Sequence, residues 1–188
     1  GPGPHPLTVL LHGRGDTAES WEPVFGDLPP GAVVLPDAPW LDRAGYWVDS
    51  AFRGGRAIET AIVWDLLPAL AQRLPLVPDR SARTVAGYSM GGAGAVRFGL
   101  AHPDLFGTVV ALSPAVYDPD PPEGSSARES GAFGTASRRY DHGVYERLGY
   151  RASLARYPAG TPTRLCVAVG DAEPPHPGAP ADAAVAAQ

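Results

Sequence analysis

Val85-Ala86-Gly87-Tyr88-Ser89-Met90-Gly91-Gly92 is the stretch that decides how the rest of the chain is read. A short apolar run, 84–86, leads into it and a small-residue helical stretch, 93–101, leads out. The octapeptide therefore sits where a strand turns sharply into a helix. Gly87 to Gly91 spell G-x-S-x-G. On such a turn the serine is held in a strained backbone conformation with its hydroxyl above the sheet, and the two glycines let strand and helix approach. Ser89 is the candidate nucleophile. The competing reading is an ordinary glycine-rich turn, and the flanking strand and helix weigh against it.

Outward from the motif, residues 7–11, 32–35, 107–112 and 164–169 are further continuous apolar runs. Runs of this kind, separated by helical or looping crossovers, imply an α/β fold whose mainly parallel sheet has helices on both faces. Residues 17–28 read as a short helix carrying Trp21 and Phe25, and 41–56 as an ordered surface loop. In 57–74 the spacing of Ile58, Ile62, Leu66 and Leu70 predicts a helix that Pro68 kinks, with Glu59 and Asp65 solvated. His102-Pro103 ends the helix after the motif. The connection 115–163 is irregular apart from a short helix around 145–154. So long a segment reads as a lid-like insertion in a single domain covering 1–188.

Composition excludes several classes. The chain has 188 residues, 44% of them hydrophobic, and a formal charge of −5. Its 15 basic residues are all arginine and lie scattered, so no nucleic-acid partner is expected. No run reaches the roughly 18 apolar residues of a membrane span. No signal peptide is visible, which favours a cytoplasmic location over secretion, although Gly1-Pro2-Gly3-Pro4 reads as a processed or engineered start. Cys166, inside an apolar run, reads as a small buried hydrophobe. No metal or cofactor is expected. Arg14-Gly15-Asp16 spells an integrin-binding tripeptide, read here as chance.

In parallel α/β sheets the site gathers at the carboxyl ends of the strands. Three such ends carry suitable residues: His12-Gly13-Arg14, Ser89 and Gly170-Asp171. Their order, loop then serine then acid, is that of an α/β-hydrolase. By position, the N–H of Met90 is one oxyanion donor. Asp171 is the acid that orients a histidine, with Glu173 as the fallback and ordinary turn chemistry as the alternative for both. An aromatic set, Trp21, Trp40, Tyr46, Trp47 and Tyr88, reads equally as substrate rim or core, and Tyr88, beside the nucleophile, is the best pocket wall. Asp49 and Ser50 are candidates to hydrogen-bond a polar substrate, solvation being the alternative.

Taken together, these stretches resemble the putative-esterase family of α/β-hydrolases, which includes esterase D (S-formylglutathione hydrolase), feruloyl and acetylxylan esterases, enterochelin esterases and mycolyltransferases. The resemblance is carried by Leu10-Leu11-His12-Gly13, Tyr46-Trp47-Val48-Asp49-Ser50, the Ser89 motif with Phe98 and His102-Pro103-Asp104-Leu105-Phe106, Ala111-Leu112-Ser113-Pro114, and Val169-Gly170-Asp171. It implies a second oxyanion donor, the N–H of Arg14, with His12 orienting that loop. It also implies a histidine base behind a further strand, tens of residues past the acid. Of the five histidines, His5, His12, His102, His142 and His176, none stands there. The expectation is therefore a fold lacking its C-terminal strand and helix, with a degenerate hydrolase, or a histidine supplied within a homo-oligomer, as alternatives.

The function that follows is hydrolysis of a small carboxylic ester or thioester through an acyl-enzyme on Ser89. S-formylglutathione is the less expected substrate, given the His-Gly-Arg-Gly loop. The alternative is a non-catalytic binding protein on an α/β-hydrolase fold.

Overall fold

In the computed structural model, which describes residues 3–170, the apolar runs become strands almost where the sequence places them. Among the described residues seven strands form: β1 (Leu7–Leu11), β2 (Ala32–Val34), β3 (Asp49–Ser50), β4 (Arg56–Ala57), β5 (Arg83–Tyr88), β6 (Thr108–Leu112) and β7 (Arg164–Ala168). Five of them make one sheet in the order β2-β1-β5-β6-β7, and every neighbouring pair is parallel. β3 and β4 form a small antiparallel ribbon. The chain leaves β1 toward β2 on one side and returns as β5 on the other. The carboxyl ends of β1 and β5 thus flank the point where the winding reverses, the usual place for a site in such a sheet.

Alternation along the strands divides the core between the two faces. Leu7, Val9, Leu11, Val85, Val109 and Ala111 point into the larger cluster with Met90, Ala95 and Phe98 of the helix α3 (Met90–Ala101) and Ile58, Ile62 and Leu67 of the preceding helical segment. Leu10 and Ala86 point to the other face, where Trp21 covers them. Trp21 belongs to 3-10 turns over Ala18–Asp27 in place of the expected α-helix. Pro23 lies inside that segment and can donate no backbone hydrogen bond to a regular helix.

Pro68 acts in a way the sequence only half predicts. The helical segment runs as α1 (Ile58–Thr60), a π turn (Ala61–Leu66) and α2 (Leu67–Arg73). The N–H of Leu67 bonds to Ile62 O, five residues back, and Pro68 falls in the first turn of the restarted α-helix, where its missing N–H costs nothing. Glu59 is a correction to the solvated reading: it is 7% exposed and paired with Arg97 and His102.

Two further expectations change. The middle of the segment 41–56 is core, with Tyr46, Trp47 and Val48 at 4%, 1% and 1% exposure. The chain is folded inward there by left-handed backbone at Leu41, Asp42, Arg43, Tyr46 and Trp47, φ 51° to 57°. Cys166 is exposed, as are all five residues of β7, which among the described residues is the last strand of the sheet. Between β6 and β7 lie three short helices, α4 (Ser126–Glu129), α5 (His142–Leu148) and α6 (Tyr150–Ala155). Among the described residues no helix is long and apolar enough to cross a membrane.

Candidate active site

Ser89 joins β5 to α3 with φ 53° and ψ −119°, a conformation outside the regions open to ordinary side chains. Such a backbone costs on the order of 1–3 kcal/mol and persists only where its surroundings enforce it. Here they do so from both sides. The Ser89 N–H donates to Leu112 O at 2.8 Å, and its carbonyl accepts from Ala93 at 3.0 Å and Ala115 at 2.9 Å. The motif's glycines are dictated by space. A Cβ on Gly91 would meet Leu11 O at 2.1 Å, and one on Gly87 would meet Gly91 C and O at 2.3 Å. Since α3 begins at Met90, the N–H groups of its first turn have no acceptor within the helix.

The loop after β1 is fixed by a second set of contacts. His12 is fully buried, and its Nε2 accepts from the Ala38 N–H at 3.2 Å. Its Nδ1 therefore carries the proton and donates to Gly13 O at 2.8 Å. Trp47 Nε1 donates to His12 O at 3.2 Å. Arg43 holds the far side: its carbonyl accepts from the Gly15 N–H at 3.0 Å, and its guanidinium donates to Asp16 O at 3.1 Å and pairs with Asp37. Asp16 N–H closes the turn on Gly13 O at 3.3 Å. Among the described residues the Arg14 N–H is not spent on these bonds, unlike those of Gly15 and Asp16.

Tyr88 links the two parts. Its hydroxyl donates to the Asp16 carboxylate, and its ring lies so close over Gly13 that a Cβ there would sit 2.6 Å from it. Burial, followed by the hydrogen bond to Asp16, raises the phenol pKa. Tyr88 also meets Trp21 edge-on, ring centroids 5.2 Å apart. Tyr88, Ser89, Met90 and the Arg14 loop thus come together at the carboxyl ends of β1 and β5.

Other predicted residues fall elsewhere. Trp47 is a correction: at 1% exposure it supports His12 from within the core and offers a substrate nothing. Asp49 is another, since its carboxylate is used on Thr60, accepting from N–H at 3.0 Å and Oγ1 at 2.5 Å. Met90 places its side chain in the core, where Sδ lies 3.3 Å from the Tyr46 N–H, and leaves only its backbone at the site. Asp171 and His176 lie outside the described residues. His12, His102 and His142 are engaged with Gly13 and Ala38, with Glu59, and with Asp120 and Glu146 respectively. His5 precedes β1, at the opposite end of the sheet from Ser89. Arg43 and Asp16 went unread in the sequence, where nothing distinguishes them from surface charges.

The Esterase family model, described as Putative esterase, matches residues 28–154, more than half of the chain. A 2-hydroxy-6-oxo-6-phenylhexa-2,4-dienoate hydrolase of Burkholderia cepacia is 30% identical over 126 residues, 62% of this chain and 41% of that protein. A Mycobacterium tuberculosis esterase is 30% identical over 110 residues, 58% of this chain and 33% of that protein. The chain thus spans less than half the length of these two curated relatives. An S-formylglutathione hydrolase structure from Agrobacterium tumefaciens superposes with a TM-score of 0.65 at 20% identity, covering 90% of this chain and 66% of that one. That likeness shows the α/β-hydrolase fold. With its β5–Ser89–α3 turn lying inside the matched residues, the chain belongs to the Putative esterase family.

Proposed function

We propose that the protein hydrolyses a carboxylic ester or thioester through an acyl-enzyme on Ser89. The observation that carries this reading is the enforced left-handed backbone of Ser89 at the head of α3. That geometry raises the hydroxyl above the sheet and costs stability that a plain turn would not spend. Ser89 Oγ attacks the carbonyl as its proton passes to a base, and the oxyanion is held by the N–H groups of Met90 and Arg14. Collapse of the tetrahedral adduct expels the alcohol or thiol, which takes up that proton. Water then attacks the acyl-serine by the same route and releases the acid. Asp171 orients the histidine that serves as base. That histidine is not His12, which is fully buried with both ring nitrogens bonded to backbone, nor His102, which lies past the far end of α3 from Ser89.

A fluorophosphonate probe is expected to label Ser89 in the full-length protein, and Ser89→Ala to remove the label. No labelling of a folded protein would overturn the assignment. Among the described residues, the engagement of His12, His102 and His142 with other partners favours one second reading, a non-catalytic binding protein on this fold. It predicts no burst with p-nitrophenyl acetate, whereas an acyl-enzyme gives one.

A further inference from the structure

An oxyanion is held only by donors fixed where its charge develops, about 2.7–3.1 Å away. The Met90 N–H is fixed by α3, which it opens. The Arg14 N–H has no helix behind it. It belongs to the turn Gly13–Asp16, closed by the Asp16 N–H on Gly13 O at 3.3 Å. Arg14 and Gly15 are the central residues of that turn, and both are exposed. Gly15 supplies the left-handed third position, φ 78°. Among the described residues no atom beyond its chain neighbours lies within 4 Å of where its Cβ would stand. Packing therefore does not hold the tip, and the donor keeps its place only as far as the two ends of the turn do.

One side chain grips both ends. The Tyr88 ring covers Gly13 so closely that a Cβ there would stand 2.6 Å from the ring edge and 3.0 Å from Asp16 Oδ2, the oxygen that the Tyr88 hydroxyl bonds. Gly13 opens the turn and Asp16 closes it, so ring and hydroxyl each take one end. Arg43 adds bonds to Gly15 and Asp16 from the other side, but it stands in a loop with its own side chain 29% exposed. Tyr88, by contrast, is the last residue of β5, paired in register with Leu112, and it precedes Ser89 directly. Buried Trp21 backs its ring edge-on, and Ser20 Oγ lies 3.4 Å from its hydroxyl. The strand that carries the nucleophile thus reaches across to the loop that carries the second oxyanion donor.

We propose that Tyr88 is the positioning residue of the oxyanion site: its ring and hydroxyl clamp the Gly13–Asp16 turn and so fix the Arg14 N–H relative to Ser89. The proposal rests on the esterase reading of Ser89. The phenol itself takes no part in the chemistry, since its proton is committed to Asp16. A donor that wanders weakens the tetrahedral state and leaves the bound ester untouched. Acylation and deacylation both pass through that state, so kcat falls while KM holds.

The test uses the full-length protein and p-nitrophenyl acetate. Tyr88→Phe keeps the ring and loses the hydroxyl, and Asp16→Ala loses the acceptor. Each is expected to lower kcat at least about tenfold, against about 10²–10³ for losing a donor outright, with KM within about twofold. Asp16→Asn, whose amide oxygen still accepts from the phenol, should keep most of kcat. The double variant Tyr88→Phe/Asp16→Ala should be no slower than the slower single, because both changes remove one bond. Amide hydrogen exchange, read by NMR, gives a readout that needs no turnover. In Tyr88→Phe the Gly15 and Asp16 amides should exchange at least about tenfold faster, while those of Val85 and Ala86 do not change. Unchanged kcat, losses that multiply in the double variant, or faster exchange along β5 as well would overturn the proposal. Asp16→Ala decides alone if Tyr88→Phe does not fold. Fluorophosphonate labelling of the parent separates the two claims. Labelled Ser89 with unimpaired variants sinks only the clamp, and no label with faster exchange confined to Gly15 and Asp16 sinks only the esterase reading.

Discussion

Ser89 pays a backbone penalty for its place, since φ 53° with ψ −119° is open to glycine but not to serine without strain. Ser89→Gly is therefore expected to raise the unfolding free energy by about 1 kcal/mol in urea titrations while abolishing fluorophosphonate labelling. A loss of stability in that variant would mean that the hydroxyl, and not the turn, is what the structure protects. This turn was legible in the sequence because its motif is compact: Gly87 is forced by its contact with Gly91, four residues on, while the contact that forces Gly91, with Leu11 O of β1, lies far away in the chain. Arg43 and Trp47 were not legible for the same purpose. Their roles at the β1 loop depend on left-handed backbone at non-glycine residues, which leaves no compositional trace, and on partners 27 and 35 residues away. Tyr88 was read from adjacency alone, and its hold on Asp16, 72 residues distant, was not.

Among the helices, the cluster of buried Glu59 with partly buried Arg97 and His102 does for α3 what the glycines do for its first turn. Arg97 of α3 reaches Glu59 of α1 with Nε at 2.9 Å and Nη2 at 2.7 Å, and it donates from Nη1 to Leu148 O at the end of α5 at 2.5 Å. His102 Nε2, at the other end of α3, lies 2.8 Å from Glu59 Oε1. Burial opposes ionisation of Glu59, but the His102 hydrogen bond and the Arg97 charge outweigh it and hold the carboxyl below its ordinary value. A depressed carboxyl stabilises the fold fully above its unfolded pKa, about 4.3, and the contribution is lost as pH falls through the folded value. Glu59→Gln should therefore cost about 2 kcal/mol at pH 7, by leaving the partly buried Arg97 without its counter-charge. The gap between variant and parent, measured by urea unfolding, should narrow below pH 4.3. Helical spacing alone placed Glu59 on an exposed face, because a burial set by a neighbouring helix leaves no mark on its own segment. The opposite sign operates at the start of α5, where the Asp120 hydrogen bond to His142 Nδ1, at 2.9 Å, raises the imidazole pKa, with Glu146 adding to it. That contribution is present below about pH 6.5 and fades as pH rises through the folded value. An NMR titration should place the His142 midpoint above 6.5, and Asp120→Ala should bring it back toward that figure.

Across the whole molecule, the contrast between central and edge strands sets accessibility. β1 and β5 are bonded on both sides, and Val9, Leu11 and Val85 are fully buried. Among the described residues β7 bonds only to β6, and Leu165 and Val167 are 55% and 49% exposed. Both strand types are continuous apolar runs in the sequence, so the parallel sheet was legible while the burial of its last strand was not. Burial belongs to whatever lies over a strand, which the strand's own residues do not encode. Cys166, in the middle of β7, reports this difference directly. A buried thiol reacts only through opening or unfolding, and is slowed by the folding equilibrium constant, on the order of 10³ to 10⁸. An exposed one reacts from the native state. One thiol should therefore titrate with Ellman's reagent in native buffer within about tenfold of the rate in denaturant, and that rate should not change on adding urea below the unfolding transition. A rate that climbs with urea through that range would mean instead that β7 is covered and that modification waits for the strand to open.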